Sequence, residues 1–530
     1  MRNLISALCA AIALLNSVGR AQTAKEAPRP KLVLLVAIDQ FRYDYLARFR
    51  SEYKGGLDRL LTRGAVFVNA NLEHYPTVTA IGHSTMLTGA TPAISGIIGN
   101  DWYERESKKN VTSVSDDAVR LLGGAESSGA SPRRLLVSTV GDELKRSGHG
   151  ASKVIGLSLK DRSAILPSGH MADAAYWYDS KAGNFVSSTY YFQDLPDWVK
   201  AFNARRLPDK YAGLEWSYPE AVMKLPSEAG PKLSGAVYSS PYGNELLEAF
   251  AEEAIRHEKL GQRDATDLLT ISFSSNDAVG HALGPDAPQV HDICVRTDRV
   301  LGKLFSFIDE TIGRDQVLVA LTADHGVMPL PERLARDRMP GGRLSGADLF
   351  GEIKRGLSER FGPGDWVVGT AGTSPYLNWD LIKTRGLKAA EVEDAAAAIA
   401  QSLPHVARVY TRHNLLAGNV TPDRISARVA RSFNARRSGD LEIILDPYWI
   451  RGNTGTTHGT PYSYDAHIPL ILMGPGIRPG RYAEPVALND LAPTLATLLD
   501  IETPSGSVGR ALYEALSAQP AAPAVFSGTL

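Results

Sequence analysis

The chain has 530 residues, of which 44% are hydrophobic and 22% are charged, and its formal net charge is −1. This composition is typical of a globular protein with a sizeable core, and the length predicts about three domains or one large domain with insertions. There is no excess of basic residues, which is the usual electrostatic signature of proteins that bind nucleic acid, so no nucleic acid partner is expected.

Residues 1–21 are typical of a cleaved secretory signal peptide. They combine a basic start, an apolar run from Leu4 to Leu15 that is too short to span a bilayer, and small residues before a cut after Ala21. A buried N-terminal helix is the alternative. No later stretch is apolar enough for a membrane span, so we expect no membrane anchor and export to the periplasm or the extracellular space. Cys9 would leave with the signal, and Cys294 would then lack a disulfide partner.

Three short apolar runs predict strands that are buried on both faces: KLVLLVAID (31–39), DLLTISFSS (267–275) and QVLVALTAD (316–324). Helical patterns at 244–260 and 295–312 lie between these runs, so strands alternate with helices. We therefore predict an α/β fold with a large, mostly parallel sheet flanked by helices. In such sheets ligands bind beyond the carboxyl ends of the strands. The residues at these ends include Asp39, Asp277 and Asp324.

We place the core at residues 31–330. The remaining segments predict insertions into or after this core. An excursion at about 165–240 contains AAYWYDSKAGNFVSSTYYF, a pattern typical of a hairpin. Residues 331–440, with an alanine-rich helix, a short strand and a second helix, predict an inserted α+β cap. The core resumes at 441–510 with the strand HIPLILMGPGI and the helix ALNDLAPTLATLLDI, and residues 511–530 form a flexible tail.

Aspartate and histidine recur beside the predicted strand ends, in VAID (36–39), NDAVGH (276–281), TADHGV (322–327) and GTTHGTPY (455–462). A single Asp-His pair usually marks only a solvated turn, but four such motifs supply enough ligands for two metal ions. Carboxylates and imidazoles without thiolates favour zinc over calcium. One helical turn separates Asp277 from His281, so both can bind one ion. The other candidate ligands are Asp39, Asp324, His325 and His458.

The segment HYPTVTAIGHSTMLTG (74–89) offers a nucleophile. Thr79 precedes a predicted helix, where free backbone N–H groups and the positive helix end favour an anion. A nearby metal would lower the pKa of its hydroxyl further. The alternative is that Thr77 or Thr79 only caps the helix, and the sequence leaves both interpretations open.

Seven motifs, taken in order, resemble those of the alkaline phosphatase superfamily, and in particular its single-chain, PafA-like phosphatases with a threonine nucleophile. They are VAID, PTVTAIGHSTMLTG, GIIGN, SLKDRSAILPSGH, NDAVGH, TADHGV and GTTHGTPY. The resemblance extends from about residue 31 to 500 and is weakest in the predicted cap. It implies an alkaline-phosphatase-like core with a bimetal site at the strand ends. It also implies a zinc-dependent alkaline phosphatase that hydrolyses small-molecule phosphate monoesters.

The resemblance further implies a role for each candidate residue. Thr79 would attack phosphorus to give a phosphothreonine intermediate, which water would then hydrolyse. Asn100 resembles the amide that binds a phosphoryl oxygen. The ligands of one Zn²⁺ would be Asp277, His281 and His458, and those of the other would be Asp39, Asp324 and His325, with Thr79.

Lys160 and Arg162 decide between phosphate monoesters and diesters. In an extended chain after SKVIGLSL the two cations point to one face and can hold two phosphoryl oxygens. A diester has too few free anionic oxygens to need both. The closest alternative function is therefore a phosphodiesterase or nucleotide pyrophosphatase of the same superfamily, which typically lacks this pair. An exposed charged patch is the structural alternative for the KDR run.

Other functions are disfavoured by missing motifs. A sulfatase would need a C-x-P-x-R type motif and a serine hydrolase a G-x-S-x-G motif, and neither is present. A non-catalytic phosphate- or metal-binding scaffold should have lost a ligand or the nucleophile, and none is lost.

We expect the protein to act as a monomer. Packing or supporting roles are expected for His83, His170, Asp298 and His467.

Overall fold

The computed structural model describes residues 29–125, 128–218, 221–344 and 349–517. The predicted signal peptide, residues 1–21, lies outside the described residues. At the centre of the molecule is an eleven-stranded sheet. Its strands are, in chain order, β1 (Leu32–Ile38), β2 (Ala65–Phe67), β3 (Ser115–Leu122), β4 (Ser128–Ala130), β5 (Val154–Ser158), β6 (Ala174–Asp179), β7 (Asn184–Ser188), β8 (Asp267–Phe273), β9 (Val317–Thr322), β10 (Leu470–Met473) and β11 (Gly480–Tyr482).

The strand order across the sheet is β11-β2-β10-β9-β1-β8-β5-β6-β7-β3-β4. The five strands from β9 to β6 are parallel, and antiparallel pairs adjoin this block on both sides. Every residue of β1, β8 and β9 is buried. Because side chains alternate between the faces of a strand, both faces of the sheet are covered. The predicted fold class is confirmed, with the parallel pairing concentrated in the middle of the sheet.

The other elements surround this sheet or build the cap. The helices are Tyr45–Arg48, Gly56–Arg63, Thr79–Thr88, Pro92–Ser95, Val140–Ser147, Asp161–Ser168, Asp197–Ala204, Pro231–Tyr238, Pro241–Glu258, Ser275–Leu283, Pro288–Thr311, Pro331–Arg336, Leu349–Phe361, Trp379–Thr384, Ala389–Gln401, Arg412–Leu416, Arg424–Ser432, Ser463–Ala466 and Leu491–Leu499. Six further strand pairs are Ala70–Asn71 with Val486–Ala487, Asp101–Glu104 with Lys109–Thr112, Glu215–Tyr218 with Ala221–Lys224, Gly342–Leu344 with Trp449–Arg451, Val367–Ala371 with Ser374–Leu377, and Val406–Thr411 with Leu441–Leu445.

The aromatic segment forms the predicted hairpin, since β6 and β7 pair antiparallel. Its position differs from the prediction, because β6 also pairs parallel with β5 and the hairpin therefore extends the central sheet. The buried ring of Tyr176 stacks on Phe192 and meets Phe250 edge-on, so apolar packing holds the hairpin there. We propose that any inserted segment begins after Ser188 and not near residue 165.

The cap has an apolar cluster of its own, which includes Leu357, Trp366 and Val392. The strand Leu441–Leu445 pairs with Val406–Thr411, and its residue Ile443 packs in this cluster. Residues 441–445, which the sequence pattern assigns to the resumed core, therefore lie in the cap. We propose that the cap extends from about residue 331 to residue 451, where the strand Trp449–Arg451 ends.

Residues 511–517 pack on the core, so the predicted flexible tail does not begin at 511. Leu512 and Leu516 are buried, and Leu516 forms an antiparallel bridge with Ile477. Residues 518–530 lie outside the described part of the chain. Cys294 is buried and free. No helix within the described ranges is both long and apolar enough to cross a membrane.

We expect Gly156→Ala to destabilise the fold. Gly156 lies in β5, and a Cβ there would overlap the carbonyl oxygen of Ala164 and the Oγ of Ser168 in the helix on the sheet. The free energy of unfolding should fall by about 1–3 kcal/mol, as for other overpacked interiors. Urea denaturation followed by circular dichroism measures it. The control is Gly235→Ala, which meets open space in the helix Pro231–Tyr238 and should not destabilise. Equal losses in both variants would contradict the packing argument.

Candidate metal centre and active site

Three carboxylates meet at the carboxyl ends of the central parallel strands, as predicted. Asp39 follows β1 directly, Asp324 follows β9 by two residues, and Asp277 lies in the helix Ser275–Leu283 after β8. Because β1 pairs in parallel with both β8 and β9, the three strands end at the same edge of the sheet. All three carboxylates are buried there.

The first group of candidate ligands consists of Asp277, His281 and His458, each with a ligand atom within 4.8 Å of the others. Asp277 and His281 stand one helical turn apart, and Asp277 Oδ1 lies 3.2 Å from His281 Nε2. His458 enters from a loop of the resumed core, with its Nε2 3.7 Å from Asp277 Oδ1. The predicted convergence of these three residues is therefore present in the structure.

The second group consists of Asp39, Asp324 and His325, again within 4.8 Å of one another. His325 Nε2 lies 3.3 Å from Asp324 Oδ2 and 3.6 Å from Asp39 Oδ1. The rings of His325 and His458 stack with centroids 3.4 Å apart. This stacking joins the two groups into one centre.

All three imidazoles are oriented by backbone carbonyls. The Nδ1 atoms of His281, His458 and His325 lie 2.8–3.0 Å from the carbonyl oxygens of Thr456, Thr77 and Gly326, respectively. An Nδ1–H that donates to a carbonyl leaves Nε2 as the lone-pair atom, and each Nε2 faces the carboxylates. This is the arrangement that histidine ligands of metals adopt.

Two carboxylate oxygens in the second group, Asp39 Oδ1 and Asp324 Oδ2, are buried without a hydrogen-bond partner. Burial and the Asp324 carboxylate raise the pKa of Asp39 well above its usual range, although Lys160 opposes the shift. Buried acceptors without partners are costly. A divalent cation between these oxygens would supply the missing interaction, so the residues present fit a bound metal.

Lys160 lies between the two groups of candidate ligands. Its Nζ is 2.5 Å from Asp39 Oδ2 and 2.6 Å from Asp277 Oδ2. Burial disfavours the charged ammonium, but the carboxylates of Asp277 and Asp39 more than offset this and raise the pKa of Lys160. Lys160 is therefore a buried cation, which excludes the alternative of an exposed charged patch for this residue.

The predicted alternation of Lys160 and Arg162 along an extended strand is also wrong. β5 ends at Ser158, and Lys160 is the N-cap of the helix Asp161–Ser168, which contains Arg162. The two cations nevertheless line one cavity, because a residue before a helix and a residue in its first turn can face the same side. The Arg162 Nε atom is buried without a hydrogen-bond partner.

Thr79 is the first residue of the helix Thr79–Thr88, and Val78 is its N-cap. The Thr79 hydroxyl does not cap the helix. Its Oγ1 lies 3.3 Å from His325 Nε2. The hydroxyl of Thr77 instead donates to the carbonyl of Thr460. The capping interpretation therefore fails for both threonines, and Thr79 presents its hydroxyl to the second ligand group.

Asn100 is held beside the same helix end. Its Oδ1 accepts a hydrogen bond of 2.9 Å from the backbone N–H of Ala80. No hydrogen bond from its Nδ2 to another described residue competes with a ligand. The amide can therefore donate to an oxygen held next to Thr79.

Gln40 is a site residue that the sequence patterns did not indicate. Its Nε2 donates to Asp277 Oδ1 at 2.6 Å and its backbone N–H donates to Asp324 Oδ1 at 3.1 Å, so it connects both ligand groups. Gln40 adopts a left-handed backbone with φ 61°. Its side chain lies against Gly280, where a Cβ would overlap Oε1. The only sequence feature that could have indicated Gln40 is its position directly after the candidate ligand Asp39.

Of the four residues expected to pack or support, His83 alone contacts the site. Its Nδ1 lies 2.9 Å from the Thr79 carbonyl oxygen, its hydrogen-bond partner, and 3.3 Å from Asp324 Oδ2. Asp298 accepts hydrogen bonds from the backbone N–H groups of residues 54, 55, 57 and 58, and His467 stacks on Tyr43. His170 accepts a hydrogen bond from Tyr190 through its carbonyl.

Residues 33–465 match the family model of type I phosphodiesterase / nucleotide pyrophosphatase. The chain is 40% identical over 520 residues to alkaline phosphatase PhoV of Synechococcus elongatus, covering 92% of this chain and 93% of PhoV. It is 36% identical over 524 residues to a protein of Myroides odoratus named calcium-transporting ATPase, covering 92% of this chain and 95% of that protein.

Alkaline phosphatase PafA of Elizabethkingia meningoseptica is 36% identical over 527 residues, covering 94% of this chain and 96% of PafA. The crystal structure of wild-type PafA has a TM-score of 0.86 to this structure at 35% sequence identity. The structural match covers 92% of this chain and 99% of the PafA chain. The likeness thus extends over the core and the cap together.

We expect Gly280→Ala to weaken metal binding. The added Cβ would displace the Gln40 side chain, which orients Asp277. Loss of such a supporting contact typically lowers metal affinity by about 10–100-fold. Titration of the metal-free protein with zinc against a chromophoric chelator measures the affinity. Gln40→Ala should give a similar loss, and Gly235→Ala should give none. Unchanged affinity in the Gly280 and Gln40 variants would rule out this supporting role.

Proposed function

We propose that this chain, which belongs to the type I phosphodiesterase / nucleotide pyrophosphatase family and is an alkaline phosphatase, hydrolyses phosphate monoesters with two bound zinc ions and Thr79 as nucleophile. The family membership rests on a match over most of the chain and on relatives that are 36–40% identical. The predicted resemblance to PafA-like alkaline phosphatases is thereby confirmed. The zinc ions, the covalent intermediate and the residue roles are our proposal.

The two ligand groups support a bimetal site. One ion would be held by Asp277, His281 and His458, and the other by Asp39, Asp324 and His325, with Thr79 Oγ1 beside His325. Mixed carboxylate and imidazole ligands with no thiolate suit zinc. When bound, two such ions polarise phosphoryl oxygens and stabilise the attacking and leaving oxygens of an in-line displacement.

Thr79 is suited to act as the nucleophile. Its hydroxyl stands in the first turn of a helix, where the free backbone N–H groups favour negative charge on Oγ1. Attack of Oγ1 forms a Thr79–phosphorus bond and breaks the bond between phosphorus and the leaving-group oxygen. Water then attacks the phosphothreonine, which releases inorganic phosphate and returns the hydroxyl of Thr79. His83 holds the Thr79 carbonyl and so fixes the helix start during both steps.

The observation that carries the choice of substrate is the position of Lys160 between the ligand groups. A phosphoryl group bound between these groups would meet its ammonium. With Arg162 and the amide of Asn100, the chain offers three donors, and the dianion of a phosphate monoester has three terminal oxygens. A diester has only two, so the three donors favour monoesters. The family description keeps diester hydrolysis as the second candidate function.

Export and oligomeric state remain proposals. The predicted signal peptide, residues 1–21, lies outside the described residues, and we retain the proposal of a periplasmic or extracellular enzyme from its sequence pattern. We also propose that the enzyme is a monomer and that its substrates are small molecules. Buffer-soluble activity recovered from the medium or the periplasmic fraction would support the first proposal.

The first test is the ratio of kcat/KM for an aryl phosphate monoester to that for the matching diester, on zinc-reconstituted protein. Lys160→Ala or Arg162→Ala should lower monoesterase kcat/KM about a hundredfold, since a charge-assisted contact is lost. Diesterase kcat/KM should fall far less. Lys200→Ala removes an exposed lysine paired with Asp194 and should leave the ratio unchanged. Equal losses on both substrates, or a diester preference of the parent enzyme, would contradict the monoesterase proposal.

Thr79→Ala should abolish the covalent intermediate without loss of zinc, because Thr79 supplies only one of the contacts around the second ion. Acid quench during turnover of a labelled monoester, followed by peptide mass spectrometry, detects phosphothreonine, and elemental analysis measures zinc. Thr79→Ser keeps a hydroxyl and should retain phosphorylation at residue 79. Phosphorylation of Thr79→Ala at any other residue would show that the nucleophile is misassigned.

A further inference from the structure

A cavity of about 310 Å³ lies between the core and the cap, next to the candidate active site. One end is formed by Asn100 and His458, which belong to the site. Glu442 and Ser374 of the cap also line the cavity, together with the charged residues Asp101 and Arg451. A group attached to a phosphoryl held beside Asn100 would therefore extend into this space. We call it the leaving-group cavity.

The walls of the leaving-group cavity include three aromatic side chains, Tyr75, Tyr376 and Trp449, each of which is fixed by a contact with another residue. Trp449 stacks on His405 with centroids 3.3 Å apart. The Tyr376 hydroxyl donates to the Arg437 carbonyl at 2.6 Å, and the Tyr75 hydroxyl donates to a cap carbonyl at 3.0 Å. Fixed rings among polar and apolar lining residues form a preorganised pocket that can take an aromatic leaving group.

Glu442 is a carboxyl without an adequate partner in this wall. In the described part of the chain its side chain forms no ion pair, and its side-chain hydrogen-bond contact is with Ser374. Ser374 Oγ lies 3.2 Å from Glu442 Oε1 but only 2.7 Å from the Leu441 carbonyl oxygen. One hydroxyl proton cannot serve both acceptors, and the shorter contact goes to Leu441. Burial raises the pKa of Glu442 to about 8, although Ser374 opposes the shift.

The Glu442 carboxyl and the three aromatic side chains line one cavity, and this combination can hold an ammonium ion. The carboxylate provides the counter-charge, and the ring faces add cation–π attraction. A ligand cation would also supply the charge partner that the chain itself does not provide for Glu442. A neutral, fully apolar ligand would instead leave the carboxyl without a partner.

We propose that the leaving-group cavity selects phosphate monoesters whose leaving group carries a protonated amine, with Glu442 as its counter-ion. This inference rests on the proposed function, because it assigns the organic part of the monoester to the cavity. Glu442 would thus determine specificity, while Thr79, Lys160 and Arg162 act on the phosphoryl group common to all substrates.

The test compares Glu442→Gln with the parent enzyme on three substrates: 4-(aminomethyl)phenyl phosphate, the isosteric 4-ethylphenyl phosphate, and methyl phosphate. Taking the variant-to-parent ratio of kcat/KM for each substrate removes differences in leaving-group chemistry. Glutamine keeps the shape of the side chain but not its charge. The ratio should fall at least about tenfold for the aminomethyl substrate, as for a desolvated charge pair that loses one member. It should stay within about twofold of unity for the other two, which lack a charge to lose.

The outcomes separate the inference from the proposed function. Equal ratios for all three substrates, with hydrolysis intact, would overturn the ammonium subsite and leave the monoesterase proposal standing. Loss of the same size on 4-(hydroxymethyl)phenyl phosphate would show a neutral hydrogen-bonding role and also overturn it. If the parent enzyme hydrolysed none of these monoesters, the proposed function would fail and the inference with it. Hydrolysis of methyl phosphate by the variant at the parent rate shows that its catalytic site is folded.

Discussion

The mutual repulsion of three buried carboxylates, Asp39, Asp277 and Asp324, is the constraint on which the rest of the site depends. Away from water, like charges at such short range are strongly unfavourable unless cations lie between them. Lys160 provides one positive charge and contacts a carboxylate of each ligand group. Asp39 Oδ1 and Asp324 Oδ2 are nevertheless left without a hydrogen-bond partner. The two groups of candidate ligands at this edge of the sheet therefore fit bound cations.

The loops that carry the ligands are tied to one another as well as to the sheet. Asp465 Oδ2 accepts hydrogen bonds from the backbone N–H and the hydroxyl of Thr460, two residues after His458. The carbonyl of Asp465 accepts from the N–H of Gly326, next to His325. A single residue thus fixes the loops of both ligand groups. This linkage explains how a glycine-rich loop can hold His458 at a defined position.

The ligands could be predicted from the sequence because each follows an apolar strand or lies in a glycine-rich loop, and parallel strands end at a common edge. Gln40 could not, since an amide beside a carboxylate has no pattern of its own and its contact with Asp277 is made across 237 residues. Lys160 and Arg162 were correctly predicted to face one side. The predicted geometry, an extended strand, was wrong because the polar residues after β5 do not reveal where that strand ends. The hairpin was visible from local alternation, but its pairing with β5 depends on distant residues. For the same reason the strand Leu441–Leu445 looked like core until its partner Val406–Thr411 was known.

The central place of β1 in the sheet has a consequence for how the chain folds. β1 is made first, yet both of its neighbours, β8 and β9, come from the second half of the described core. Contacts between such distant segments form slowly, because the loop between them must close before any pairing is gained. During synthesis β1 therefore cannot pair with β8 or β9 until residues 267–322 have been made, and until then its apolar side chains lack the strands beside which they lie in the folded sheet. The apolar side chains that bury the strand ending at Asp39 in the finished enzyme thus favour aggregation before folding is complete.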